Sequence, residues 1–190
     1  MITPEDLMQL AIEKCRAGIM SGESPFGCAI ARGENVVSVE HNTVLSTTDI
    51  TAHAEINAIR RACRKVNDIF LESAIVATTC EPCPMCMAAL HWARVDVVYY
   101  GATIADADTA GFNELQLPAA DVLNNGGSSI KLVAGVLPEE CQELFQVWKS
   151  SPAARSYLES VLVMRILQTQ RSAALSFLVV AFAVSSCHGI

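Results

Sequence analysis

The chain has 190 residues, of which 52% are hydrophobic and 17% charged. That charge fraction lies below the roughly 25% of an average soluble protein, which excludes disorder as a description of the whole chain. The length matches roughly one domain, or one domain with an appendage, and a formal net charge of −7 from 13 basic and 20 acidic residues argues against a general nucleic-acid binder, a local basic patch aside.

Thr3 is placed to cap a first helix, with Pro4 at its first position and Glu5 and Asp6 in its first turn. Leu7, Leu10, Ala11, Cys15 and Ile19 recur at helical spacing, and Gly22 ends that element. Phe26–Arg32 and Val36–His41 read as strands joined at Gly33-Glu34-Asn35, a hairpin. Asn42–Asp49 reads as a polar loop. Ala52–Val66 has a helical period, and Ser73–Thr79 reads as a buried strand. Pro84 opens a helix running to about Arg94, and Asp96–Gly101 is a further strand. Ile104–Gly127, rich in Asp, Asn, Gly and Pro, reads as irregular. Ile130–Ala134 is a last short strand and Pro138–Trp148 a last amphipathic helix. Strands alternating with helices predict an α/β layered domain with crossover connections.

The composition changes after Tyr157. Leu158–Ile190 holds only Glu159, Arg165 and Arg171 as charges, and Ala173–Val184 is nearly all apolar. As a helix that run would span about 18 Å, short of a bilayer core of about 30 Å. A packed extension, an interfacial or oligomer contact and a membrane segment all stay open as readings. The first residues lack the basic start, apolar run and cleavage site of a secretory signal. Reduced thiols in the cytoplasm are therefore the expectation for the eight cysteines.

Two short motifs carry chemistry. The first is Thr51-Ala52-His53-Ala54-Glu55 at a helix start. The second is Cys80-Glu81-Pro82-Cys83-Pro84-Met85-Cys86 at a strand-to-helix junction. Cysteines three apart in the first turn of a helix share a face, and the positive helix end favours their thiolates. His53 adds a neutral third ligand. With Cys83 and Cys86 it leaves a tetrahedral zinc ion one open position, as in catalytic rather than structural sites. Glu55, two residues from His53, is placed to move protons without ligating metal. Two alternatives accompany this reading. Cys80 could close the site as a fourth, structural ligand. Cys80, Cys83 and Cys86 also form the start of an iron–sulfur pattern, although the next cysteine, Cys141, is far away.

H-x-E followed by P-C-x-x-C is the zinc deaminase pattern, and at these residues the chain resembles the cytidine deaminase-like superfamily. The resemblance covers about Ile2–Tyr157. The stretches from Thr51 to Arg60 and from Cys80 to Leu90 look most like the guanine deaminase and tRNA adenosine deaminase branches. His91-Trp92-Ala93-Arg94, the Ala105–Glu114 loop, Phe145–Trp148 and Tyr157 favour the guanine branch. The resemblance implies a three-layer α/β/α sandwich around a five-stranded mixed sheet over residues 1–157, followed by an extension at 158–190. It implies one zinc ion on His53, Cys83 and Cys86, with Glu55 as the proton shuttle. Phe26, Asn42 and Ala54 match substrate-contact positions, and Trp92 matches a wall of the pocket. Glu114, Glu143 and Tyr157 match late substrate or swapped-segment positions. The implied partners are a small nucleobase and a second copy of the chain, in a homodimer that exchanges C-terminal segments.

Chemistry agrees with these roles. Asn42 offers a donor and an acceptor to a base edge, and Phe26 and Trp92 offer flat faces. Glu114 only accepts, which suits a base rich in N–H donors, such as guanine. The chain departs from the family at Ile50, where Pro is usual, at Glu114, where the guanine branch has Asp, and in continuing to Ile190. The tRNA branch is matched about as well by Pro118–Lys131 and Gly135–Cys141, but Leu137–Ser151 offers only Lys149 as a base to meet phosphates. Cytosine or nucleoside deamination, and a zinc-stabilised scaffold without activity, are the further alternatives. His41, His91 and His188 are expected to be structural or surface groups.

Overall fold

The computed structural model describes residues 2–112 and 114–159. The apolar run at 173–184, Cys187 and His188 lie outside the described residues. The chain begins with α1 (Pro4–Met20), whose N-cap Thr3 and third residue Asp6 form the reciprocal capping box. Strands β1 (Gly27–Arg32) and β2 (Asn35–His41) make the expected hairpin. They are followed by α2 (Val44–Thr47), α3 (Ala54–Val66), β3 (Ala74–Cys80) and α4 (Pro84–Trp92). Then come β4 (Val97–Ala102), α5 (Ile104–Ala110), α6 (Ala119–Gly126), β5 (Lys131–Ala134) and α7 (Pro138–Lys149). Residues 152–159 are also helical.

The sheet runs in the order β2-β1-β3-β4-β5. β1 is antiparallel to β2 and to β3, whereas β3, β4 and β5 run parallel, so the sheet is mixed. Successive side chains of a strand face opposite layers. Ala29 and Ala31 join the core beneath α1 and α7, while Cys28 and Ile30 join the core beneath α3 and α4. The result is the expected α/β/α sandwich, with α1, α5 and α7 on one face and α3, α4 and α6 on the other.

Two stretches expected to be irregular contain helices. The Asn42–Asp49 loop holds the single turn of α2. Its N–H groups at Leu45 and Ser46 are taken by the buried Glu23 carboxylate, at 3.1 and 2.9 Å. The Ile104–Gly127 region holds α5 and α6. Thr103 and Asp106 form a second capping box, and Gly111 and Gly127 adopt the left-handed conformation that ends each helix. The turn residues that gave this region its irregular look are the helix ends themselves.

Close approach of layers requires glycine at two sheet positions. A Cβ at Gly27 would meet the Ala11 carbonyl of α1, and one at Gly101 would meet the Cys141 side chain of α7. Among the described residues no helix is long and apolar enough to cross a membrane.

Gly27→Ala forces α1 off the sheet, since a main-chain carbonyl has no rotamer with which to yield. The expected loss is about 2 kcal/mol of stability, measured by urea unfolding. Unchanged stability would mean that α1 does not pack this closely.

Candidate metal centre and active site

The site assembles where the ends of four strands meet. Gly27 pairs with His41, Cys28 with Thr78, and Thr78 with Tyr100. Phe26, Asn42, Glu81 and Thr103 therefore follow one another along a single end of the sheet. Ligands commonly bind beyond the carboxyl ends of parallel strands.

Two helices start at this end. The expected helix at Ala52–Val66 begins two residues late, because His53 is an extended N-cap. Its side chain makes no capping bond and is left to project from the helix start. Cys83 is likewise an extended N-cap, with Pro84 locking the first position of α4, and Cys86 sits in the first turn. Nδ1 of His53 lies 3.7 Å from Cys83 Sγ and 3.5 Å from Cys86 Sγ. Ligand atoms of these three residues all fall within 4.8 Å of one another. Two thiols and an imidazole at such spacing fit one zinc ion, with helix N–H groups moderating the thiolate charge. Cys83, accepting from the Cys86 thiol and held by His53, is pulled down to about 4 despite partial burial. Cys86 is pushed up by that same hydrogen bond and by burial.

Cys80 lies outside this trio: its thiol donates to the Thr103 carbonyl at 3.5 Å. The geometry therefore favours a three-ligand centre, facing a cavity of about 330 Å³, over the closed-site and iron–sulfur readings.

Glu55 is buried against this cavity, and Thr78 Oγ1 donates to its Oε1 at 3.2 Å. Burial, reinforced by the nearby Cys83 charge, raises its pKa. Thr78 carried no signal in the sequence beyond its place in a strand. Asn42 is 3% exposed, and its Oδ1 accepts from the Val44 N–H at 3.0 Å. Asn42 lines the cavity, its amide bringing both a donor and an acceptor. Glu114 lines the cavity, with its pKa raised by burial and by Cys83. Phe26 and Tyr157 line it too, and Phe112, which sequence reasoning missed, stands between them with ring centroids 5.0 and 5.3 Å away. Tyr157 stands at the far end of the described chain from Phe26, and both line the one cavity.

Three residues expected at the substrate site do not line the cavity within this chain. Trp92 is the first. It ends α4, 73% exposed, on the outward stripe that also carries Met85. Nine residues of helix carry it about 13 Å along the axis from Cys83. Glu143 is on α7, outside the cavity, where it pairs with Arg16 at 2.7 Å on the surface. Ala54 is fully buried and off the cavity lining; what it offers is a main-chain N–H at an uncapped helix start. His41 and His91 bond Asn42 O and Ser128 Oγ, outside the ligand trio.

Cys83→Ser and Cys86→Ser are expected to purify without bound zinc, whereas Cys80→Ser retains one ion per chain. Elemental analysis of the three variants checks this, and loss of zinc from Cys80→Ser would overturn the three-ligand centre.

Residues 1–102 match the family model of the cytidine and deoxycytidylate deaminase zinc-binding region. The chain is 36% identical over 154 residues to a guanine deaminase of Bacillus subtilis, covering 78% of this chain and 92% of that protein. It is 30% identical over 163 residues to a tRNA-specific adenosine deaminase of the same organism, covering 83% and 99%. A solved guanine deaminase from Nitrosomonas europaea superposes with a TM-score of 0.71 at 25% identity, over 79% of this chain and 86% of that one. A metal-binding trio beside a buried glutamate, in a matching fold, is what this family requires, and the chain belongs to it as a zinc-dependent hydrolytic deaminase.

Proposed function

We propose that the substrate is a free purine base, and that the reaction converts guanine and water to xanthine and ammonia. The polarity of the cavity carries this reading. The Glu114 carboxylate presents acceptors, the Asn42 amide a donor and an acceptor, and Phe26, Phe112 and Tyr157 apolar faces. Guanine offers ring and amino N–H groups to a carboxylate and keeps O6 and ring nitrogens as acceptors. The likeness to guanine deaminase over most of both chains supports the same substrate.

Zinc held by His53, Cys83 and Cys86 supplies the Lewis acidity that makes water a nucleophile near neutral pH. The chain's residues do the rest. Glu55 takes a proton from the attacking water on its buried carboxyl group. It passes that proton to a ring nitrogen, then takes the second proton from the added hydroxyl and gives it to the departing amine, so that ammonia leaves as the carbonyl forms. Thr78 Oγ1 keeps the carboxyl plane in place through each transfer. The rings exclude bulk water and orient the base.

Ammonia release is expected from guanine, and not from guanosine, adenine, cytosine, cytidine or an anticodon stem-loop RNA. Glu55→Gln is expected to retain zinc and lose about 10²- to 10⁴-fold in kcat. Full activity in that variant would sink the mechanism, and turnover of the RNA alone would transfer the assignment to tRNA editing.

We also propose self-association through one face of α4, where Met85, at the cavity, and the 73% exposed Trp92 stand two turns apart. Large exposed apolar side chains in one stripe mark an interaction surface. Light scattering should find a dimer, shifted toward monomer by Trp92→Glu; a monomeric wild type would rule the interface out.

A further inference from the structure

Glu81 lines the cavity, yet the reaction gives its carboxylate no task. Both of its oxygens are already engaged. Oε1 accepts from the Ala119 N–H at 2.9 Å, and Oε2 accepts from the Ile104 N–H at 3.2 Å. These are the first N–H groups of α6 and α5. Pro118, the N-cap of α6, provides no side-chain cap, so the carboxylate of Glu81 takes that place from a different part of the chain. Negative charge at two helix starts is favourable, and hydrogen bonds to an ionised acceptor are the stronger kind.

The two contacts bracket residues 104–119. Between the helices lies the segment that brings Glu114 and Leu115 to the cavity wall. Phe112 anchors the near end of that segment in the ring cluster, 3% exposed. Glu81 is itself held, its N–H donating to the Ala102 carbonyl at 2.8 Å, two residues before the Cys83 ligand. One side chain thus joins the metal-bearing turn to both flanks of the segment that carries Glu114.

We propose that Glu81 is a positioning residue for base recognition. By holding the starts of α5 and α6 together, it sets where the Glu114 carboxylate stands relative to the metal ligands. This rests on the reading of Glu114 as the acceptor for a purine base.

Glu81→Gln replaces one acceptor with an amide that opposes an N–H donor. The expected result is a rise of about tenfold in KM for guanine with kcat within about threefold, the signature of lost ground-state and transition-state binding together. Zinc stays at one ion per chain. Hydrogen exchange of the 104–119 amides speeds up, while exchange in 84–92 does not. Adding Glu81→Gln to Glu114→Gln costs nothing further in KM, because the two act through one contact. Glu81→Asp, which keeps the charge but reaches one N–H, recovers part of the loss. Multiplying KM effects in the double variant, unchanged exchange at 104–119, or loss of zinc would each overturn the proposal. Wild-type silence toward guanine would sink the substrate reading alone, because the exchange comparison needs no substrate.

Discussion

The N termini of α3 and α4 meet at one end of the sheet, and every other feature of the site is arranged around that meeting. Each terminus carries unpaired N–H groups and a positive partial charge. His53 and Cys83 occupy the two N-cap positions but make no capping bond, so their side chains are free to converge. Cys86, in the first turn of α4, completes the trio. The distances depend on the pairing of β1 with β2 and β3, because those strands lead into and out of the two helix starts. Glycine at position 27 lets α1 close over the opposite face without disturbing that register.

Three glutamates line the cavity and a fourth, Glu23, is buried outside its lining; their hydrogen bonds divide the four into two kinds. Glu23 and Glu81 each accept from two main-chain N–H groups and so brace helix starts. Glu55 and Glu114 line the cavity with pKa values raised by burial. Residue type is the same in all four cases. What sets the braces apart is that both of their oxygens accept from main-chain N–H groups, whereas Glu55 accepts a side-chain bond from Thr78.

Much of the centre was legible before any coordinates. The H-x-E and P-C-x-x-C spacings specify which atoms can share a metal, because helix geometry at Cys83 and Cys86 is local. The capping signals at Thr3 and Pro84 and the hairpin at Gly33 are equally local, and they correspond to observed elements. The α5 and α6 helices were hidden because their caps and their Gly ends were read together as loop. Trp92 and Glu143 were placed by likeness alone. The direction in which a side chain leaves a helix depends on what that helix packs against, and α4 turns Met87 and Leu90 inward, leaving Trp92 outside.

The sequence by itself determined the chemistry available to this protein: a zinc trio, a neighbouring glutamate and an α/β frame to carry them. Those properties follow from residue types at short spacings, where the covalent chain sets the distance. Tertiary structure alone decided that Cys80 stays out of the metal set, that Glu81 braces two helices, and that Phe112 and Tyr157 face one cavity. Each of those facts joins residues more than twenty positions apart. Their separation is set by strand register and layer packing, which no short pattern encodes.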